Sequence, residues 1–171
     1  MTGISLTPER LKELLGLRPL DREGGFFAET YRSSERLPSS LVYRGGSGER
    51  SLATAIYYML TPESCSRLHR LRSDEIYHFY LGNPVELLQL GPDGQGKVVR
   101  LGSDLLGGMC PQVVVPRGVW QGARLIGGGA FALLGTTMAL GFDVADFEVG
   151  DRHSLMQAYP SFGELIEALT K

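Results

Sequence analysis

A chain of 171 residues with a formal net charge of -2 is long enough to form one domain, residues 1–171, around a real core without covalent staples. The charge argues against a nucleic-acid partner, and no apolar run approaches the ~18 residues of a membrane span. The start, MTGISLTPERLKELLGL, has neither the basic start nor the apolar core of a signal peptide, so a cytoplasmic protein without a membrane partner is expected.

Thr7-Pro8-Glu9 predicts a helix start, with Thr7 as cap and Pro8 at the first helical position. Leu11, Leu14 and Leu15 form its apolar stripe and Gly16 its stop. Gly24-Gly25 turns the chain into the strand FFAETYR, where Phe27, Glu29 and Tyr31 share a face. Glu29 and Tyr31 are therefore candidate pocket-wall residues. Residues 33 to 50 read as a long exposed loop. Ser51 to Leu60 is a strand ended by Thr61-Pro62. Gly82-Asn83-Pro84 and Gly91-Pro92-Asp93-Gly94 are tight turns on either side of the strand Val85 to Leu90. Val98 to Leu101 follows as a short strand, and a β-meander is the natural inference.

Further strands run over Gln112 to Val115, Val119 to Leu125 and Ala130 to Met138. The glycine triplet 127–129 precedes no helix or Lys-Ser/Thr, so it is not a phosphate loop. Gly141 to Glu148 is an acidic, aromatic segment. Ser161-Phe162-Gly163-Glu164 fits a capping box, with Leu165, Ile166 and Leu169 on the helix's apolar side. Roughly eight to ten short strands between two helices point to an antiparallel sandwich or barrel. Cys65 and Cys110, without close metal spacing, read as reduced, buried thiols.

The chemistry concentrates between Cys65 and Gly82, in CSRLHRLRSDEIYHFYLG. His69 and Glu75 stand on either side of a short bend, Arg72-Ser73-Asp74. Alternation puts Glu75, Tyr77 and Phe79 on one face of the following strand, and Ile76, His78 and Tyr80 on the other. An imidazole and a carboxylate aimed at one cavity can bind a metal or move a proton; an ion pair pinning two strands is the plainer alternative.

These segments resemble the two cupin motifs. His69 takes the first histidine position of the first motif, Leu71 the second, Glu75 the glutamate and Gly82 the closing glycine. Pro116, Gly118 and Gln121 take the proline, glycine and histidine positions of the second, with glutamine in place of histidine. The strings EGGFFAETYRS, SDEIYHFYLG, VVPRGVWQGARL and GFDVADFEVG resemble one uncharacterised cupin subfamily, long known as a domain of unknown function and related in fold to the RmlC-type sugar-nucleotide epimerases. The resemblance implies an all-β fold: a cupin double-stranded β-helix, or jelly-roll barrel, with short N- and C-terminal helices and the site inside its mouth. It also implies a homodimer, for which the strand at Phe26 and Phe27 offers an edge.

The residues depart from the family's metal habit. Leucine at 71 cannot ligate, and an amide oxygen at 121 is a poor partner for Zn²⁺ or Fe²⁺. His78 completes a ligand set only if a bulge turns it inward. No cofactor and no resident metal are expected, although His69 and Glu75 leave room for a loosely held divalent ion. Likeness to the metal-free RmlC-type epimerases implies His69, Glu75 and Tyr77 as catalytic residues, with Tyr31 an alternative acid. Gln121, Glu29, Tyr31 and His78 are candidates to bind a small, carbohydrate-like ligand. Three classes stay open: a metal-independent epimerase or isomerase, a non-catalytic binding module using Gln121, Glu75, His69 and Trp120, and a degenerate metal-dependent enzyme.

Overall fold

The computed structural model describes residues 6–44 and 46–171. Helix α1 (Pro8–Leu15) leads into strands β1 (Arg18–Pro19), β2 (Phe26–Arg32), β3 (Arg36–Pro38), β4 (Glu49–Ser51), β5 (Thr54–Leu60), β6 (Cys65–Arg70) and β7 (Asp74–Gly82). There follow β8 (Val85–Leu90), β9 (Gly96–Leu101), β10 (Gln112–Val115), β11 (Trp120–Leu125), β12 (Ala132–Ala139) and β13 (Glu148–Val149), then helices α2 (Arg152–Ala158) and α3 (Gly163–Ala168). Two antiparallel sheets face each other, ordered β1-β2-β5-β12-β7-β10 and β13-β6-β11-β8-β9. Chain neighbours are seldom sheet neighbours: β7 lies between β12 and β10, and β6 between β13 and β11. The meander expectation therefore fails beyond the β8–β9 hairpin, and crossing between sheets gives the jelly roll.

Alternation along the strands divides the apolar residues among three layers. Tyr58, Leu60, Tyr77, Leu87, Val115 and Leu134 fill the space between the sheets. Leu68, Leu88 and Leu90 on the outer face of the five-stranded sheet pack under Leu155, Ile166 and Leu169 of the C-terminal segment. Met59 and Leu133 on the outer face of the six-stranded sheet pack with Leu11 of α1. Helix α1 starts and stops where expected: Thr7 accepts the Arg10 N–H at 3.2 Å and Gly16 closes the helix at φ 64°.

Three local expectations are corrected. The segment 33–50 is no open loop, because β3 and β4 pair within it and Ser39, Tyr43 and Arg50 are buried. The Arg50 guanidinium holds Asp146 at 2.8 and 3.2 Å, tying this lobe to the segment before β13. The capping box at Ser161 does not form, since Pro160–Phe162 is a 3-10 turn and α3 has no side-chain cap. The true cap is Asp151, which accepts the Ser154 N–H at 2.9 Å and opens the unforeseen α2. Cys65 and Cys110 are unpaired as expected, but half-buried rather than buried. No helix among the described residues is long and apolar enough to cross a membrane.

Candidate functional site

The inner face of the five-stranded sheet carries a polar row. Gln121 on β11 stands in register with His69 on β6 to one side and with Gln89 on β8 to the other. All three are almost wholly buried. Glu75 and Tyr77 project from β7 in the facing sheet, and Gln121 bridges the two sheets by donating its amide N–H to Glu75 Oε2 at 2.8 Å. His69, Glu75 and Gln121 thus meet inside the barrel, as the motif spacing anticipates.

His69 is 1% exposed, and its Nδ1 lies 2.7 Å from the Arg67 carbonyl oxygen. A carbonyl only accepts, so Nδ1 donates to it and Nε2 is the ring nitrogen left facing the barrel interior. Among the described residues that Nε2 has no hydrogen-bond partner, and neither do Gln121 Oε1, Tyr77 Oη and Gln89 Nε2. Buried polar atoms are seldom left unpaired, because each forfeits its hydration. Four in one barrel mark a place built to receive a polar ligand or water.

Electrostatics set the protonation. Burial raises the Glu75 carboxyl from its ordinary 4.5 to about 7, and Glu23 pushes it the same way; His69, Thr136 and Gln121 pull against them. Burial also holds the Tyr77 phenol well above its usual value, assisted by the Glu75 charge. Near neutrality, then, Tyr77 keeps its proton while Glu75 exchanges one readily.

Glu23 is the site residue that sequence reasoning missed, together with Gln89. Its carboxylate accepts the Ser66 hydroxyl at 2.7 Å and stands 4.0 Å from His69 Nε2. The backbone holds it there: Arg67 N–H donates to the Glu23 carbonyl, Tyr58 donates to that of Gly24 at 2.9 Å, and Gly24 has φ 99° against the Cys65 carbonyl. Only glycine accepts that conformation at so close an approach. The paired glycines signal the turn in the sequence, but nothing in it shows the turn folding over His69. Phe147 closes the other side, stacked on the imidazole with ring centroids 4.8 Å apart. Glu23, Phe27, Phe142, Val144 and Phe147 line a mouth cavity of about 480 Å³.

The remaining candidates lie elsewhere. His78 stays on the outer face of β7, near Gln112 and Thr137 and stacked with Tyr80. The β7–β12 register does slip, but at Tyr80, beyond His78, so no bulge turns the imidazole inward. Tyr31 is 55% exposed, and Glu29 is ion-paired with Arg32 at 2.6 Å in the exposed half of β2. A slip beyond Glu29 also takes Tyr31 off the face expected with Phe27. Trp120 points outward beneath Arg70 and offers the barrel no indole.

The donor set does not match a resident transition metal. Leu71 fills one position with hydrocarbon, Gln121 offers only an amide oxygen, a poor ligand for Zn²⁺ or Fe²⁺, and among the described residues no three His, Cys, Asp or Glu side chains form a metal-holding group.

Comparison with known proteins agrees with the fold and with these motifs. The family described as Cupin superfamily (DUF985) matches residues 9–150. The Saccharomyces cerevisiae uncharacterized protein YML079W is 33% identical over 149 residues, covering 81% of this chain and 74% of that one. The crystal structure of SO0799 from Shewanella oneidensis superposes with a TM-score of 0.86 at 29% identity, over 98% of this chain and 99% of that one. A hypothetical protein from Leishmania major gives 0.85 at 29% identity, over 96% and 99%. A variant of Bacillus subtilis oxalate decarboxylase OxdC, at 11% identity and a TM-score of 0.52 over 90% of this chain and 37% of that one, shares the fold alone. With one family spanning both motifs and two full-length structural relatives keeping the same barrel, this chain belongs to the DUF985 family of the cupin superfamily.

Proposed function

We propose that the barrel binds a small polar, carbohydrate-like ligand and moves a proton on it, as a metal-independent epimerase or isomerase. The observation that carries this reading is the set of unpartnered buried atoms, His69 Nε2, Tyr77 Oη and Gln121 Oε1, beside a carboxyl poised at about 7. His69 Nε2 serves as the base, taking a proton from a carbon next to a carbonyl. Tyr77, kept protonated, donates to the oxygen on which negative charge develops. Glu75 stabilises the imidazolium when ionised and returns a proton when not. The cavity of about 480 Å³ bordered by Glu23 and Phe147, both of which neighbour His69, is of the size that takes a small ligand. Hydrocarbon at Leu71 and an amide in place of an imidazole at Gln121 support a mechanism without a resident metal.

The test is to incubate the protein in D₂O with free and nucleotide-linked aldoses and ketoses, following deuterium wash-in by NMR. Wash-in next to a carbonyl, lost in His69→Gln, is the expected result. Saturable binding of one sugar without wash-in would instead favour a non-catalytic binding cupin, for which the inner row His69–Gln121–Gln89 already supplies hydrogen-bonding groups. Binding of none would sink both readings. We further propose that the chain forms a homodimer through the outer face of its six-stranded sheet. The strand at Phe26 and Phe27 is not an open edge, because β1 already pairs with it. Half-exposed Tyr80 and Val114, beside Tyr57 and Ile76 on that face, now support the proposal.

A further inference from the structure

We propose that a cleft at the rim of the barrel, apart from the His69 centre, binds a phosphate-like oxyanion through Arg44, Arg72 and Arg117. The cleft has a volume of about 720 Å³ and its wall carries four arginines, Arg44, Arg70, Arg72 and Arg117, against two carboxylates, Asp146 and Glu148. Both carboxylates are already engaged. Asp146 is held by Arg50 at 2.8 and 3.2 Å, and Glu148 takes the Arg70 fork at 2.7 and 2.8 Å. Asp74 accepts the backbone N–H of Arg117 at 2.8 Å, and Asp143 lies 3.7 Å from Arg50. Among the described residues, no ion pair takes up the guanidinium of Arg44, Arg72 or Arg117. In a chain whose net charge is -2, three such groups around one concavity make a local positive field that draws anions.

The arginines stand on a fixed frame. The Arg72 guanidinium lies over the Tyr43 ring at 5.0 Å, and Tyr43, itself buried, shares a hydrogen bond with Ser73. Arg70 is seated over Trp120 at 4.5 Å. The Gly118 N–H donates to the Leu71 carbonyl at 2.8 Å, locking together the turns that carry Arg72 and Arg117. Planar guanidinium forks lining one cleft match an oxyanion with several acceptor oxygens better than a lone carboxylate does. The cleft shares one wall with the barrel centre: Asp146 and Glu148 face it, and Phe147 between them turns its ring to His69. The proposal does not depend on the proton-transfer reading.

Inorganic phosphate is the probe, titrated by calorimetry and by amide NMR, with sodium chloride at matched ionic strength and sodium acetate in parallel. Saturable phosphate binding is expected, with amide shifts at residues 43–44, 71–73 and 116–118. It should weaken about tenfold or more in Arg72→Gln/Arg117→Gln, the scale of a lost charge-assisted hydrogen bond, and stay unchanged in His69→Gln. Acetate binding as well as phosphate would widen the class to carboxylates; acetate failing would confine it to phosphoryl groups. Should the double Gln variant misfold by circular dichroism, Arg72→Lys/Arg117→Lys keeps the charge but loses the forks and should still bind several-fold more weakly. Shifts equal to those from chloride, or phosphate affinity unchanged in a folded double variant, would overturn the proposal.

Discussion

Glu75 is a carboxyl placed where its charged form is least welcome, between two sheets and near Glu23. Its folded value of about 7 lies above the ordinary 4.5, so between those limits the folded chain holds a proton that the unfolded chain has released. The sign follows: stability from this group is complete below the ordinary carboxyl range and is lost as pH rises through about 7. Glu75→Gln keeps an acceptor for the Gln121 amide and removes the charge. It is expected to raise the melting temperature at pH 8, corresponding to about 2 kcal/mol, and to change it little at pH 5. An equal gain at both pH values would show that burial of the charge is not the cause. Carboxyl ¹³C NMR checks the neighbour: Glu23→Gln should lower the Glu75 midpoint, because it removes the like charge that helps to raise it.

At the scale of elements, the β3–β4 lobe is tied to the segment before β13 by the buried pair of Arg50 and Asp146. The Arg50 and Asp146 side chains are 10% and 3% exposed, and removing one partner leaves the other charge poorly solvated. Arg50→Ala is expected to destabilise the fold by about 3 kcal/mol, with urea denaturation as the measurement. A loss below ~1 kcal/mol would place the pair with ordinary surface salt bridges. Gly24 is the comparable point for the site: Gly24→Ala drives a Cβ into the Cys65 carbonyl at a positive φ. It should displace Glu23 and reduce ligand binding even where the barrel still folds. Unchanged binding in that variant would mean that the turn's position is not what seats Glu23.

For the whole molecule, the outer face of the six-stranded sheet is only partly covered by α1. If a second copy covers the rest, light scattering should give twice the 18.7 kDa chain mass, and Tyr80→Arg combined with Val114→Glu should give a monomer. A monomer mass for the unmodified chain across micromolar concentrations would end the dimer proposal. Metal content is a second measurement at this scale. After dialysis against chelator, elemental analysis is expected to find well under one equivalent, since donors lost at Leu71 and Gln121 weaken binding steeply. One iron, nickel, manganese or zinc per chain, lost on His69→Ala, would move the reading to a metalloenzyme.

Much of the barrel could be read from the chain because its determinants are local. Thr7 and Gly16 bound α1, the glycine and proline turns bound β8, and alternation after the Ser73 bend puts Glu75 and Tyr77 on one face. Spacing on the two motifs also brings Glu75 and Gln121 into hydrogen-bond contact, although they lie on facing sheets. What the chain could not show by itself depends on long-range pairing. Pattern places Glu29 and Tyr31 beside Phe27, but a slip against β5 beyond Glu29 takes Tyr31 off that face. The bulge that would have turned His78 inward falls at Tyr80 instead. Asp146 resembles a solvated loop acid until Arg50, distant in sequence, closes on it. Glu23 belongs to the site because Gly24 packs against Cys65, and Phe147 because β13 pairs with β6. Strand order, register and which loop folds over which side chain are decided by non-local packing and hydrogen bonding, and a local pattern of residue types does not encode them.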